Sequence, residues 1–403
     1  MTEGRSLGEE TLDLRLVGGR LAGAEGIPFG TEMDIGIRGG RITAIGELFA
    51  VPARATIPMG GLFVSPGWID LHVHLWRPAL AVDPDRDAGM EHGVTTVVDA
   101  GPVGAREIDA YLERVASRAR TRVLLFVNVS DDTSEVPIHG RAGNLDAKAT
   151  ARAVADHPYR ALGVKVMASQ SHVGALGAEP VRVALEAAAR SGSRVMCHIG
   201  HAPPDLGEVL DLLAEVGERA IVTHALHGKP GGLLDRAGRV IPQAREADAR
   251  GVRWDLGHGS ASFAYETARA AFAAGFEIDT ISTDLHRGNV RGPVRDLATT
   301  MTKLLALGVP LEAVVDKVTR RAAEAIGRED GLGRIALGRE ADLTLFRVVD
   351  MDGDVAGAGS AFEGTLVDSE GAKLRAATRI LPVGVVREGK YHALTAVDPF
   401  SSG

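Results

Sequence analysis

Hydrophobic and polar residues alternate along both ends of the chain, which predicts β-strands there. The alternation covers residues 12–17, 33–38 and 41–45, and glycine pairs at 18–19 and 39–40 separate these runs. Such runs predict short antiparallel strands joined by tight turns. Alternation returns after residue 333, over 341–346 and 380–386. We therefore expect strands from both ends of the chain to join in one small sheet.

The middle of the chain has a different rhythm, in which nearly continuous apolar runs alternate with helical stretches rich in Ala and Arg. The predicted strands start at Trp68 and continue at 95–99, 123–128, 161–166, 194–198, 220–224, 253–257 and 280–284. The predicted helices cover 105–120, 145–156, 180–191, 205–216, 262–274, 295–307 and 311–326. Apolar runs of this kind are typical of strands that are buried on both faces.

About eight strands separated by helices or long connections predict an α/β fold, a (β/α)₈ (TIM) barrel. We expect residues 66–335 to form this barrel. Residues 1–65 and 336–403 are then the two parts of a small β-sandwich domain built from both termini. The glycine-rich and polar segment 353–371 is predicted to be a loop.

Composition narrows the range of partners and compartments. The 403 residues carry a net charge of -8 without a basic cluster, which argues against nucleic acid as a partner. The single cysteine, Cys197, excludes an intrachain disulfide and fits a reducing cytoplasm. The polar start of the chain lacks the apolar core of a signal peptide, and no run of ~20 apolar residues predicts a membrane span. We expect a cytoplasmic protein, and a homo-oligomer is compatible with this.

Polar side chains stand at the ends of several predicted strands, where a barrel presents residues to its substrate. They are His72, His74, His198, His224 and Asp284. On a strand, His72 and His74 point to the same side and could hold one metal ion. Each residue alone has a simpler explanation, such as a hydrated loop, a hydrogen bond to a backbone carbonyl or a helix cap. Their succession at strand ends favours a shared site.

Lys165 lies between two valines on a predicted strand, where a buried ammonium group is costly unless it is paired or neutralised. It could form an ion pair with a buried carboxylate, or a Schiff base with a carbonyl substrate. A neutral amine could instead take up carbon dioxide, and the resulting carbamate could bridge two cations. The four histidines and the aspartate favour this third interpretation, a two-metal hydrolytic site.

Several longer motifs contain these residues, and through them the sequence resembles the amidohydrolase superfamily. The resemblance is strongest to its amidohydrolase/deacetylase metallohydrolase branch, which is related to dihydroorotase. The motifs are VSPGWIDLHVH at 64–74, GVKVMAS at 163–169, CHIGHAPP at 197–204, IVTHALHGKPGG at 221–232, DLGHG at 255–259, DTISTDLH at 279–286 and GRIALGREADL at 333–343. The first is typical of the superfamily, whereas THxxHGKPGG and STDLH are typical of the branch.

The resemblance implies a site with two divalent metal ions, with zinc as the first choice although manganese, iron or cobalt also suit such ligands. It implies that His72, His74 and Asp284 hold the more buried ion and that His198 and His224 hold the second. Lys165, carrying a carbamate derived from carbon dioxide, would bridge both ions. Asp284 would also be the general base.

The same resemblance implies removal of an acetyl group from a small carboxylate-bearing substrate, an N-acetyl-amino acid or an O-acetyl hydroxy acid. Two cations ~3.5–4 Å apart would lower the pKa of a bridging water, and the hydroxide would attack the carbonyl. Met167 stands where relatives commonly have an arginine, which leaves the substrate open.

Four further residues lie just past strand ends and are candidates for substrate binding: His227, Lys229, His258 and His286. Each could instead hydrogen-bond to a metal ligand or be solvated. Two other functions compete with deacetylation. One is hydrolysis of a cyclic amide, as in dihydroorotase or hydantoinase, at the same metals. The other is a metal-free scaffold relative, which the presence of all six candidate ligands disfavours.

Overall fold

The computed structural model describes residues 11–134, 136–351 and 364–394, which contain seventeen strands and ten α-helices. The strands are β1 (Leu12–Leu21), β2 (Glu32–Arg38), β3 (Arg41–Gly46), β4 (Ala53–Pro58), β5 (Phe63–Pro66), β6 (Trp68–Val73), β7 (Val94–Asp99), β8 (Arg122–Asn128), β9 (Ala161–Ala168), β10 (Arg194–Ile199), β11 (Ala220–Thr223), β12 (Arg253–Asp255), β13 (Leu343–Asp350), β14 (Thr365–Val367), β15 (Lys373–Arg375), β16 (Thr378–Arg387) and β17 (Lys390–Ala393). The helices are α1 (Ile108–Tyr111), α2 (Ala147–Asp156), α3 (Gln170–Val173), α4 (Glu179–Ser191), α5 (Leu206–Ala214), α6 (Pro242–Ala249), α7 (Tyr265–Ala273), α8 (Leu297–Ala306), α9 (Leu311–Lys317) and α10 (Arg320–Ala325).

One eight-stranded sheet contains strands from both ends of the chain. Its order is β17-β16-β13-β5-β1-β2-β3, with β4 beside β1. The pairs β1–β2 and β2–β3 are antiparallel, as the alternating pattern predicts. Strand β5 joins the two ends, because it pairs with β1 on one side and with β13 on the other. Leu16, Ile35 and Leu345 are buried together against this sheet, so both ends of the chain share one apolar cluster.

The predicted turn at Gly18 and Gly19 is wrong. Strand β1 runs through both residues to Leu21, and its pairing with β2 shifts register between Leu16 and Gly19. Gly18 has a φ of +68°, a left-handed conformation that glycine adopts readily. The glycine pair therefore forms a bulge, which lengthens the strand instead of ending it.

A second sheet is parallel and holds the middle of the chain. Its seven strands follow the chain in order, from β6 to β12. Strands β6, β7 and β9 are buried over their whole length. Neighbouring residues such as Val97 and Val98 belong to different apolar clusters, and the second cluster includes Ala322 of α10. Both faces of the sheet are thus covered, as the continuous apolar runs predict.

The predicted strand at 280–284 has irregular backbone that touches both edges of the parallel sheet. Thr280 forms a parallel bridge to Asp255 of β12, and Leu285 forms one to Val73 of β6. The backbone is irregular here because Asp284 has a φ of +51° and because Thr283 uses its backbone N–H to bond the side chain of Asp70. The edges β12 and β6 therefore approach each other across this segment, and the parallel sheet is curled.

The helical predictions hold in the middle of the chain and fail in two places. Predicted helices 145–156, 180–191 and 205–216 correspond to α2, α4 and α5. Predicted helix 105–120 contains only the four-residue α1, followed by a π-helical turn over Leu112–Ala116. Predicted helix 311–326 is interrupted at Thr319, whose ψ of -94° is not helical. No helix among the described residues is long and apolar enough to span a membrane.

The predicted loop 353–371 falls partly outside the described residues, which resume at 364. The part that is described contains β14, which pairs with β15 in a two-stranded antiparallel sheet. This hairpin contacts the parallel-sheet region, since Tyr265 N–H donates to the side chain of Asp368.

Candidate metal centre

The six residues predicted as metal ligands lie together at the carboxyl-terminal edge of the parallel sheet. His72, Lys165 and His198 are on β6, β9 and β10. The other three, His74, His224 and Asp284, follow β6, follow β11 and lie in the 280–285 segment. In-order parallel strands bring their carboxyl ends to one edge, which is why residues far apart in sequence meet here.

One part of the cluster is a group of two imidazoles and a carboxylate. Asp284 Oδ1 lies 2.8 Å from His74 Nε2 and 3.4 Å from His72 Nε2. One ligand atom from each of these three residues lies within 4.8 Å of the others. Two nitrogen atoms and a carboxylate oxygen at such distances form a donor set that suits a divalent transition metal.

The other part of the cluster contains His198 and His224. Their ring centroids are 4.2 Å apart, and the His224 ring lies 5.0 Å from that of His72. His224 Nδ1 is 2.6 Å from the carbonyl oxygen of Gly257, which only accepts hydrogen bonds. The proton of His224 is therefore on Nδ1, and the buried Nε2 has no hydrogen-bond partner among the described residues. A lone pair without a partner is what a cation would require.

Lys165 lies beside the first group. Its Nζ is buried, 3.4 Å from His72 Nε2 and 3.4 Å from Met196 Sδ. No carboxylate in the described part of the chain forms an ion pair with it, which leaves the ion-pair alternative without a partner there. Burial lowers the pKa of Lys165 to about 8, so a neutral amine is accessible close to neutral pH.

Burial and hydrogen bonding set the charge of the remaining candidate ligands. It lowers the pKa of His72 and His198 well below the usual value and that of His224 to about 3, so these imidazoles are neutral. Burial raises the pKa of Asp284, but the hydrogen bond and charge of His74 outweigh it, and the pKa falls to about 2. Neutral imidazole and ionised carboxylate are the forms that bind metal ions.

Two of the candidate ligands have backbone conformations that L-residues rarely adopt. His224 has a φ of +70° and Asp284 a φ of +51°. Such conformations cost roughly 1–2 kcal/mol each and persist only where surrounding contacts hold them. Here they turn each side chain toward the cluster. Together with the donor atoms, distances and charges described above, the residues present fit a divalent metal site.

The four candidates for substrate binding differ in burial and in hydrogen bonding. Lys229 is half-buried, and burial lowers its pKa. His227 accepts a hydrogen bond on Nδ1 from Lys229 N–H at 3.1 Å, and its buried Nε2 has no partner within the described part of the chain. The His286 ring lies 6.3 Å from that of His74. His258 is fully buried, with Lys303 Nζ 2.6 Å from Nε2 and Gly259 O 2.9 Å from Nδ1, so both ring nitrogens are engaged.

Two residues near the cluster were not among the sequence candidates. Asp99 ends β7, with Oδ1 4.0 Å from His74 Nδ1 and Oδ2 accepting from Leu75 N–H. His172 packs its ring 5.0 Å from that of His198. Both carry the signal that identified the other candidates, because Asp99 is the last polar residue of a strand and His172 lies just past one.

Several known proteins are similar to this chain over most of its length. A deacetylase of Agrobacterium fabrum is 36% identical over 367 residues, which cover 87% of this chain and 89% of that protein. A deacetylase of Enterococcus faecalis is 34% identical, covering 90% of this chain and 96% of that protein. A solved structure described as an adenine deaminase superposes with a TM-score of 0.84 at 31% identity, covering 95% of this chain and all of that chain.

A solved structure described as a dihydroorotase gives a TM-score of 0.82 at 31% identity, covering 96% of this chain and 99% of that one. The family model described as "Amidohydrolase family" matches residues 63–371, a span that contains the entire parallel sheet and all six candidate ligands. The recognition made from the motifs is confirmed: the chain belongs to the amidohydrolase family, and it is a hydrolase that acts on amide bonds.

Proposed function

We propose that this hydrolase is a binuclear metal-dependent deacetylase, which removes an acetyl group from a small substrate that carries a carboxylate. The observation that carries the proposal is the convergence of all six candidate ligands at one edge of the parallel sheet. Relatives named deacetylase, similar over most of both chains, favour this chemistry over ring opening. Hydrolysis of a cyclic amide of the dihydroorotase type is the second candidate, since a solved structure of that description is also similar.

The ligand roles follow from the two parts of the cluster. His72, His74 and Asp284 would hold one ion, since their ligand atoms are mutually close. His198 and His224 would hold the second, and Lys165 lies beside His72. Because the Lys165 amine is buried and has no described carboxylate partner, we propose that it carries a carbamate that binds both ions. Zinc suits these nitrogen and oxygen ligands.

When bound, the two cations would supply Lewis acidity, which activates water and polarises a carbonyl group. Asp284 stays ionised because of its hydrogen bond to His74, so it is able to accept the proton of the attacking water. It would then donate that proton to the leaving nitrogen or oxygen. The neutral imidazoles add no positive charge that would repel a cation.

The substrate carboxylate would contact residues from the set of four candidates for substrate binding. Lys229 is the lysine among the four candidates, and an ammonium group pairs well with a carboxylate, so we assign it the main contact, with His227 and His286 as further contacts. Substrate binding by His258 remains a prediction. Both of its ring nitrogens already have hydrogen-bond partners, which fits a structural role beside the site better.

The proposal extends to the architecture. We infer that the 280–285 segment is the eighth strand position and closes the parallel sheet into a (β/α)₈ barrel, since it bridges both edge strands. The barrel would comprise residues 66–335, and 1–65 with 336–403 would form the β-sandwich domain. The sheet shared by β1–β5, β13, β16 and β17 supports this division.

The experiment is to measure acetate release by zinc-reconstituted protein. The panel contains N-acetyl-D- and N-acetyl-L-amino acids and O-acetyl hydroxy acids, with dihydroorotate and hydantoins as ring-opening substrates. We expect acetate release with a chiral preference, and metal analysis should give two ions per chain. Ring opening without acetate release would move the protein to the second candidate function.

A further inference from the structure

Residues at and just after the end of β12 are linked to one candidate ligand from each part of the metal cluster, to His72 through Thr223 and to His224 directly. We propose that Asp255 and Gly257 form a positioning unit that holds His72 and His224 with the proton on Nδ1. Their Nε2 lone pairs are thereby kept free for the cations. This inference rests on the proposed metal site, and it concerns residues that do not themselves touch a metal.

On the His72 side the unit acts through Thr223. Thr223 Oγ1 donates to Asp255 Oδ2 at 2.7 Å and lies 2.9 Å from His72 Nδ1. A hydroxyl group has one proton, and Thr223 gives that proton to Asp255. Its oxygen therefore accepts from His72, and the His72 proton is on Nδ1. The lone pair of His72 then lies on Nε2, the atom that faces Asp284 and Lys165.

Asp255 is held as an acceptor by two more hydroxyl groups. Thr280 Oγ1 donates to its Oδ1 and Ser282 Oγ to its Oδ2, each at 2.7 Å. Asp255 is fully buried, so no solvent competes for its oxygens. Three converging donors fix the direction of the bond from Thr223.

On the His224 side the unit acts through the backbone. The Gly257 carbonyl accepts from His224 Nδ1 at 2.6 Å. Residue 257 has a φ of +49°, and a Cβ there would overlap Thr223 Oγ1 and lie 2.8 Å from His224 Nδ1. Only glycine lets this carbonyl reach the imidazole while Thr223 keeps its place.

The consequence concerns metal affinity. A neutral imidazole has one lone pair, and the other tautomer would direct an N–H at the cation. Loss of such orienting partners typically weakens metal binding by roughly 10- to 100-fold. Thr223 and Asp255 are thus positioning residues for His72.

The test compares two isosteric substitutions that each remove one hydroxyl donor from Asp255. Thr223→Val also breaks the link to His72, whereas Thr280→Val leaves it intact. The zinc dissociation constant of the full chain is measured by competition with a chromophoric chelator, after thermal melts show that each variant is folded. Thr223→Ser restores the hydroxyl, and Thr223→Ala replaces the valine variant if that variant does not fold.

We expect Thr223→Val to weaken zinc binding by roughly 10-fold or more, with Thr280→Val and Thr223→Ser within about 3-fold of the wild type. Equal affinities of Thr223→Val and Thr280→Val would overturn the positioning unit and leave the metal site intact. A wild-type chain that binds no zinc, manganese, iron or cobalt would instead overturn the proposed function.

Discussion

His74 Nε2 lies 2.8 Å from Asp284 Oδ1, although 210 residues separate them in the chain. Strand β6 brings His74 to the site, and the bridge between Val73 and Leu285 brings Asp284 beside it. The hydrogen bond keeps the carboxylate ionised in a mostly buried place. An ionised aspartate at the centre of an imidazole cluster can both bind a cation and accept a proton.

Asp284→Asn is expected to abolish turnover while metal remains bound. The amide cannot accept the proton of the attacking water, so kcat for acetate release should fall by roughly 100-fold or more. His72, His74, His198, His224 and Lys165 remain as ligands, and metal analysis should still find ions. Asp211→Asn, at an exposed position, is the matched control. An Asp284→Asn enzyme with normal kcat would refute the assignment of the base.

Lys165→Ala is expected to remove the metal, because the proposed bridging carbamate can no longer form. Addition of a short carboxylate such as propionate should restore part of the metal content and activity, since it supplies the missing oxygens in the space that the side chain leaves. Metal stoichiometry with and without propionate is the measurement. Lys148→Ala removes an exposed lysine and should change neither quantity. Unchanged metal content in Lys165→Ala would contradict the bridging role.

Lys229→Met is expected to weaken substrate binding more than turnover. Methionine keeps the length of the side chain but cannot pair with a carboxylate, so KM should rise by roughly 10-fold with a smaller change in kcat. Steady-state kinetics on an N-acetyl-amino acid and on its uncharged amide separate the effects. The amide should show little difference between the two enzymes, and Lys148→Met should resemble the wild type. An equal KM increase for both substrates would argue against a charge contact.

Gly257→Ala is expected to destabilise the protein and to weaken metal binding. Alanine in a left-handed conformation costs roughly 1–2 kcal/mol, and here its Cβ also overlaps Thr223 and approaches His224. Gly238→Ala is the control, because Gly238 has a φ of +74° with nothing within 4 Å of an added Cβ. Urea unfolding should show that Gly257→Ala lowers the free energy of unfolding more than Gly238→Ala does. If both variants lose the same free energy of unfolding and bind zinc equally well, the absence of a Cβ at Gly257 has no role in holding His224.

Lys303 is expected to make stability rise with pH above neutrality. Burial lowers its pKa to about 7, whereas a lysine in the unfolded chain titrates near 10.4. Between these values the unfolded chain binds a proton that the folded chain does not, so the free energy of unfolding increases with pH.

From pH 7 to pH 9 this increase amounts to about 2 kcal/mol. Urea unfolding of the wild type and of Lys303→Met at both pH values measures it, since the methionine variant lacks the buried amine. The difference in free energy of unfolding between them should shift by that amount in favour of the wild type at pH 9. A difference that does not change with pH would mean that Lys303 stays charged in the folded chain.

The sequence by itself predicted the features that depend on local pattern. Apolar runs predicted the parallel strands. Polar residues at the strand ends predicted that the six candidate ligands lie together, because in-order parallel strands share a carboxyl edge. The motifs added the family. The turn predicted at Gly18 and Gly19 was wrong, since a pair of glycines is compatible with a β-bulge as well as with a turn.

Tertiary structure alone decided which groups orient the ligands. Thr223, Asp255 and the Gly257 carbonyl lie on different elements from His72, and nothing in their local sequence shows that they meet. The left-handed backbone of His224 and Asp284 was also invisible, because non-glycine residues adopt it only where surrounding contacts hold them. Local pattern places side chains along a strand, but hydrogen-bond direction and burial exist only once distant strands are packed together.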